Sequence, residues 1–249
     1  MKDIEKGNKR YALFQQYHKQ KFGSRFSGRL LDFGCGAGAF LISALNDKID
    51  VHGIEVEAAR QTQFMRTAEK YGPDAKDRFT LYDGRLMPYP SNHFDGCHSW
   101  FVFEHVTDPQ TSLREIVRTL KPGGTLSIWA DDVRNAWDGH AAAPWPPYLP
   151  REFAPAYLEG LGMAQRAEFI SSYVVYVSAP QICDILTTLG MKIVYANASP
   201  KRDTLPDGIY IASEQDAVDF GKRVKQLMES GAFSSPSENL CVFATKPTA

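Results

Sequence analysis

The sequence predicts an α/β chain built on a doubly wound, mostly parallel sheet. Two observations lead there. Short apolar runs bounded by turn residues alternate along the chain with segments whose apolar residues recur every three or four positions, the rhythm of strands covered by helices. The first apolar run also ends in a glycine turn, LLDFGCGAGAF at 30–40, which opens directly into a helix. With 249 residues, 43% hydrophobic and 23% charged, the chain can build the core of a single domain carrying insertions.

Residues 1–27 are expected to be an N-terminal helical segment, a helix running to Gly23 with Tyr11, Phe14 and Tyr17 on one side to cover an edge of the domain. The first strand is 30–33, followed by the helix AFLISALN; the second is 49–55, followed by a helix over 56–70. FTLYD at 79–83 and FDGCHSW at 94–100 read as the third and fourth strands. Asp108 can cap a helix whose first turn takes Pro109, where a missing N–H costs nothing. Leu113, Ile116, Val117 and Leu120 give that helix an apolar face, KPGG stops it, and TLSIWA is the fifth strand.

After Ala130 the rhythm breaks into two insertions, 131–177 and 197–236, between which it returns. Ser178-Ala-Pro-Gln181 is a capping-box-like start to a helix carrying Ile182, Ile185, Leu186 and Leu189, and MKIVYA is the next strand. The second insertion carries a helix from Ser213 with Phe220, Val224, Leu227 and Met228 on one face, and NLCVFATK is the last strand. The first insertion combines Asp138 and His140 with Trp145, Tyr148, Phe153 and Tyr157. One reading makes it a lid lining an acceptor pocket, with His140 as base and Asp138 its partner, or a D-x-H metal pair. The other makes it a packed cap or a dimer contact. His105, near the end of the fourth strand, is either a general base or a local hydrogen-bonding residue.

The glycine turn satisfies two patterns at once. Gly34-Cys35-Gly36-Ala37-Gly38-Ala39 fits both G-x-G-x-x-A, a dinucleotide fingerprint, and D-x-G-x-G-x-G, a nucleoside-binding turn. Glu55, at the end of the second strand, stands where a carboxylate can accept both hydroxyls of a ribose in either case. The ligand is therefore expected to be a ribose-bearing cofactor.

Asp32 before the turn, FTLYDG with Asp83, and the run LMPYPSNHFDGCHSWFVFEHVTDP leading into LKPGGTL discriminate further. Together these resemble the class I S-adenosylmethionine-dependent methyltransferases of small-molecule type, closely over 30–130 and loosely over 178–196 and 238–246. The resemblance implies a Rossmann-like, seven-stranded sheet with an antiparallel last strand, and S-adenosylmethionine as cofactor with S-adenosylhomocysteine as product. Carried over residue by residue, it adds Asp32 to the cofactor site and puts Gly34, Gly36 and Gly38 under the methionine part and adenosine, with Cys35 lending its backbone. It gives Glu55 the ribose, Val56 the adenine face, Asp83 and Gly84 the adenine edge, and Trp100 and Phe101 the border of the methyl-bearing sulfur. On the acceptor the resemblance is nearly silent beyond its small-molecule type; the leading expectation is a sugar, glycan or natural-product intermediate held under the insertions.

A nicotinamide-dependent oxidoreductase would also explain the glycines and Glu55, but leaves Asp83 and the FD…LKPGG run without purpose. A cofactor-binding protein without catalysis is the third reading. The formal net charge of −1, with no basic tract, argues against a nucleic-acid acceptor. Four scattered cysteines form no zinc motif or disulfide framework, so no metal is expected from them and the chain reads as cytoplasmic. No apolar segment predicts a membrane span. The aromatic insertion and the second insertion's helix each offer a surface for a homodimer.

Overall fold

Leu30 and Leu31 are apolar in succession because the strand they share is buried on both faces. The computed structural model describes residues 2–135, 137–145, 149–175, 177–197, 211–232 and 239–248. Its helices and strands follow the chain as α1 (Lys2–Phe22), β1 (Arg29–Phe33), α2 (Ala39–Asn46), β2 (Asp50–Glu55), α3 (Ala58–Tyr71), β3 (Phe79–Leu81), β4 (Phe94–Trp100), α4 (Pro109–Thr119) and β5 (Leu120–Ala130). They continue as β6 (Trp137–Asp138), β7 (Ala143–Pro144), α5 (Ala154–Gly160), α6 (Ala167–Tyr173), α7 (Ala179–Thr188), β8 (Lys192–Ala196), α8 (Glu214–Glu229) and β9 (Leu240–Thr245).

The seven-stranded sheet runs β3-β2-β1-β4-β5-β9-β8. All neighbours from β3 to β5 are parallel, while β9 lies antiparallel between β5 and β8. The strand order reverses direction between β1 and β4, and doubly wound sheets bind ligands at such a point, beyond the carboxyl ends of the strands.

Successive side chains of β1 feed opposite layers, as the two-residue strand period requires. Leu30 joins Phe14, Phe40, Leu41, Val51 and Phe64 on the side of α1–α3, whereas Leu31 joins Leu113, Ile116, Leu126, Ile182, Leu186 and Val242 on the side of α4 and α7. Asp32, two residues after Leu30, therefore points to the α1–α2 layer, as does His98, whose ring stacks on Phe40 at 4.2 Å.

The expected caps are present. Asp108 accepts from the Thr111 amide at 2.9 Å, Ser178 from Gln181 at 3.4 Å and Ser213 from Asp216 at 3.2 Å. α1 does more than cover an edge. Tyr11 and Phe14 are buried, Gly7 lies so close to the Ala39 carbonyl that no side chain would fit, and Tyr17 stacks near Phe243 of β9. Three boundaries differ from the sequence reading. β3 ends at Leu81, two residues short of Asp83, and the ladder of β5 begins at Leu120, so Lys121-Pro122-Gly123-Gly124 belongs to the strand. The helix after β2 starts at Ala58 because Glu55 first bonds the amides of Val56 and Glu57.

The two insertions build a core of their own. Ala141, Trp145, Leu149, Tyr157, Leu158, Leu161, Ile170 and Val174 from the first pack with Ile211, Phe220 and Val224 from the second. α5 and α8 cross at Gly160 and Gly221, where an added Cβ on either would collide with the backbone of the other helix. Trp145 and Tyr157, expected as pocket-lining aromatics in the lid reading, instead face inward, and Tyr157 donates its hydroxyl hydrogen to the Pro144 carbonyl at 2.5 Å. They belong to the buried core of the insertions; Tyr148 lies outside the described residues, as do 198–210 and 233–236 of the second insertion.

Candidate active site

The cofactor half is built on the turn between β1 and α2. Gly34, Gly36 and Gly38 all have positive φ, at 74°, 54° and 75°. They differ in what surrounds them. A Cβ on Gly34 would strike the Val102 side chain and one on Gly38 the Phe64 ring, but one on Gly36 would meet nothing within 4 Å. The turn closes on itself elsewhere. The amides of Gly34 and Cys35 donate to the Ile54 carbonyl at 2.9 and 3.1 Å, and the Cys35 carbonyl accepts from Gly38 at 2.9 Å. Both backbone groups of Cys35 are thus engaged, the amide by β2 and the carbonyl within the turn, and Gly36 is the part that faces open space.

Glu55 is held beside it. One carboxylate oxygen accepts from the Gly36 amide at 2.8 Å, the other from Val56 at 2.8 Å and Glu57 at 3.2 Å. An ionised carboxylate has about four acceptor sites, so capacity remains for a hydroxyl. Val56 exposes 56% of its surface at the next position, an apolar face with nothing yet on it, and packs near Gly84. Asp83 is exposed, and its Oδ1 accepts from the amides of Arg85 and Leu86 at 2.9 and 3.3 Å. These bonds hold its carboxyl below the usual range and make it a turn former beyond the end of β3.

Asp32 is the most informative of these side chains. It is 3% exposed, and its Oδ2 has no hydrogen-bond partner. Burial pushes its carboxyl up to about 8, with Arg10 pulling it down and Glu55 adding to the rise. An orphaned buried carboxyl beneath a nucleoside turn fits a cationic group, and S-adenosylmethionine carries an ammonium and a sulfonium. The residues present therefore fit the cofactor: Gly36 leaves room, Glu55 has spare acceptor capacity, Val56 offers an apolar face, and Asp32 is an unpartnered carboxyl that a cationic group would help to ionise.

A pH dependence follows. Since the folded-state value lies above the ordinary 3.8, the neutral carboxyl favours folding; that contribution is full below about pH 4 and is lost as pH rises through about 8. Melting curves of the cofactor-free protein are expected to fall by at least about 3 °C between pH 6 and 9, the equivalent of ~1 kcal/mol, and Asp32→Asn should flatten that fall. An unchanged slope in Asp32→Asn would sink this account.

Trp100 and Phe101 end β4. Phe101 has φ of 54°, a conformation that a non-glycine residue rarely adopts and that concentrates at functional sites. Its amide donates to the Trp129 carbonyl at 2.7 Å, which holds the bend. The Trp100 ring lies 5.7 Å from Phe101 and 5.2 Å from Trp129, and the Arg10 guanidinium sits over it at 5.8 Å. Arg10 of α1 reaches the site, acting on both Asp32 and His98.

Beyond Phe101 a short helical turn, Phe103–His105, presents a second group of side chains. His105 Nδ1 donates to the Tyr173 carbonyl at 2.8 Å, and its ring meets His140 edge-on at 5.0 Å. His140 Nδ1 stands 3.8 Å from Asp138 Oδ1 and 3.9 Å from Asp131 Oδ2, outside bonding distance. Asp138, expected to orient His140, accepts from the Ala141 amide at 2.6 Å. Asp131 is raised by burial and by Asp138, and accepts from the Gly139 amide at 3.2 Å.

The sequence reading passed over Glu104. It is 1% exposed, neither carboxyl oxygen has a partner, and burial lifts it to about 8. Its own carbonyl accepts from Val175 of the insertion at 2.5 Å. Phe169 and Tyr173, 45% and 61% exposed and 5.7 Å apart, were passed over as well; Phe169 lies 5.5 Å from His140. They are the open aromatic surface that Trp145 and Tyr157 do not provide. A cue for Asp131 was its place just past the carboxyl end of β5, where sites of this fold class form.

Fold and site define a nucleoside-cofactor-binding protein with a seven-stranded sheet whose last strand is reversed. Residues 31–128 match the family described as a methyltransferase domain. Over that stretch, which holds the glycine turn and most of the run from β1 to β5, the chain is similar to methyltransferase domains rather than to nicotinamide-dependent enzymes. The nicotinamide reading of the turn is set aside accordingly.

Among its relatives, the sterol 24-C-methyltransferase of Aspergillus fumigatus is 30% identical over 51% of this chain and 34% of its own length. The 27-O-demethylrifamycin SV methyltransferase of Amycolatopsis mediterranei is 32% identical over 42% and 39%. The ubiquinone/menaquinone biosynthesis C-methyltransferase of Pseudomonas fluorescens is 27% identical over 51% of each chain. The chain thus spans about a third to a half of the length of these relatives.

In fold it is similar to the [4+2]-cyclase SpnF, with TM-score 0.58 and 20% identity over 94% of this chain and 80% of that one. A methyltransferase from Mesorhizobium loti gives 0.55 and 18% over 88% and 91%. Among the described residues no helix is long and apolar enough to cross a membrane.

Proposed function

We propose that the protein transfers the methyl group of S-adenosylmethionine to a hydroxyl-bearing small molecule with an apolar or planar face, held between the end of β4 and the insertion core. The observation that carries this is the meeting of Glu104, His105 and His140 with the exposed rings of Phe169 and Tyr173, just past the aromatic end of β4. On this reading the insertions 131–177 and 197–236 form the acceptor-site cap. Relatives named for a sterol, a demethylrifamycin and ubiquinone/menaquinone biosynthesis support a small-molecule acceptor with an apolar or planar body, and the 27-O-demethylrifamycin relative supports a hydroxyl as the attacking group.

The cofactor supplies a methyl group on a cationic sulfur, and everything else falls to the chain. Glu55 and Gly36 fix the nucleoside, and Asp32 meets the cofactor's positive charge. Trp100 and Phe101 present ring faces to the sulfonium, an attraction of ~0.5–2 kcal/mol. Phe169 and Tyr173 orient the acceptor for in-line attack and, with the insertion core, exclude water. The polar group formed by Glu104, His105, His140 and Asp138 receives the proton that an attacking hydroxyl gives up.

The test is incubation with methyl-labelled S-adenosylmethionine and a fractionated small-molecule extract. Label in an organic-soluble or small polar fraction, lost in His140→Ala, is the expected result. Binding of S-adenosylhomocysteine with no label in any fraction would overturn the reading in favour of a cofactor-binding protein without methyl transfer.

A further inference from the structure

The Glu104 group has a feature that methyl transfer alone does not require. One carboxylate oxygen from Glu104 and one ring nitrogen from each of His105 and His140 all lie within 4.8 Å of one another. We propose that these three residues form a binding site for a divalent transition-metal ion of the zinc or manganese class. One carboxylate with two imidazoles is a donor set that such ions favour over magnesium or calcium, which take oxygen ligands. Bonds of ~2.0–2.2 Å put tetrahedral donors ~3.4 Å apart, so side-chain adjustments of the order of 1 Å close the site.

Two further observations point to a ligand here. Glu104 is fully inside the protein with both oxygens unpartnered, and the buried Nδ1 of His140 is unpartnered too. A buried polar group without a partner is costly, and a cation would satisfy both. Moreover, the hydrogen bond from His105 Nδ1 to the Tyr173 carbonyl fixes the tautomer that leaves a lone pair on Nε2, the usual support behind a metal-binding imidazole.

The surrounding charges agree. Oxygens of Asp138 and Asp131 lie 3.8 and 3.9 Å from that same His140 Nδ1, adding negative charge around the three donors. The nearby arginines are committed elsewhere: Arg166 donates to the His140 carbonyl, and Arg134 is paired with Asp132 at 2.6 Å. The site's use, though not its existence, rests on the methyltransferase reading; an ion there would give an acceptor oxygen a coordination position beside the end of β4.

Metal-stripped protein titrated with cobalt(II) is expected to take up one equivalent with a visible absorption band that zinc(II) displaces. Glu104→Gln, which keeps the shape of the side chain, His105→Ala and His140→Ala should each weaken binding by at least about tenfold. His93→Ala, at the amino end of β4, should not. S-adenosylhomocysteine binding, measured on the same samples, shows that each variant is folded. No band in a wild-type protein that binds S-adenosylhomocysteine would overturn the metal site and leave the methyltransferase reading standing; equal cobalt affinity in all variants would also overturn it. A band in protein that does not bind S-adenosylhomocysteine would keep the site and remove its proposed use.

Discussion

Gly36→Ala is expected to give a folded protein with weakened affinity for S-adenosylhomocysteine, whereas the same change at Gly34 or Gly38 is expected to damage the fold itself. All three glycines sit in the left-handed region, where a side chain costs ~1–2 kcal/mol. At Gly34 and Gly38 the new methyl also meets Val102 or Phe64, an overpacking cost of ~1–3 kcal/mol. Their sum, ~2–5 kcal/mol, is a large part of the stability of an ordinary domain.

At Gly36 the methyl enters open space, so only the backbone cost applies until the ligand arrives. The overlap then weakens binding by ~1–3 kcal/mol, or ~5–150-fold. Thermal melts and calorimetric titration separate the two classes. Wild-type affinity in Gly36→Ala would mean that the cofactor does not cross this glycine.

The second large effect is at Glu55. Its carboxylate is fixed by three amides, which leaves the last of its about four acceptor sites for a ribose hydroxyl at little further ordering cost. A hydrogen bond to a charged group is worth ~1.5–3 kcal/mol. Glu55→Ala should therefore lower cofactor affinity by ~1.5–3 kcal/mol, about one to two orders of magnitude. The difference between wild type and variant should largely vanish for a cofactor analogue lacking both ribose hydroxyls, since a double-mutant cycle isolates the pair. A persistent difference would assign Glu55 to shaping the turn alone.

What was legible in the sequence was local. The caps at Asp108, Ser178 and Ser213 and the glycine turn each depend on a few adjacent residues with a narrow choice of conformation, whereas the reversed last strand was expected only through the family resemblance. Glu104 and Arg10 were not legible, because their meaning comes from neighbours distant in the chain. Arg10 acquires its role when α1 packs across α2 onto the Trp100 end of β4. Glu104 acquires its role when Val175 and His140 come to it from the insertion. The aromatics of the first insertion show the same limit: its sequence calls for rings to be buried somewhere, but only the crossing of α5 and α8 decides that Trp145 and Tyr157 turn inward while Phe169 and Tyr173 stay outside.

The core shared by α5 and α8 has a bearing on how such a protein can change over generations. The residues assigned to the cofactor all precede position 102, while the insertion core draws on positions from 141 onward and shares no member with the hydrophobic clusters of the sheet. Under the proposed division of labour, substitutions that retune acceptor choice accumulate in one stretch of the coding sequence without disturbing the stretch that recognises the methyl donor. The two tasks are then heritable separately, and a lineage acquires a new acceptor while keeping an old cofactor.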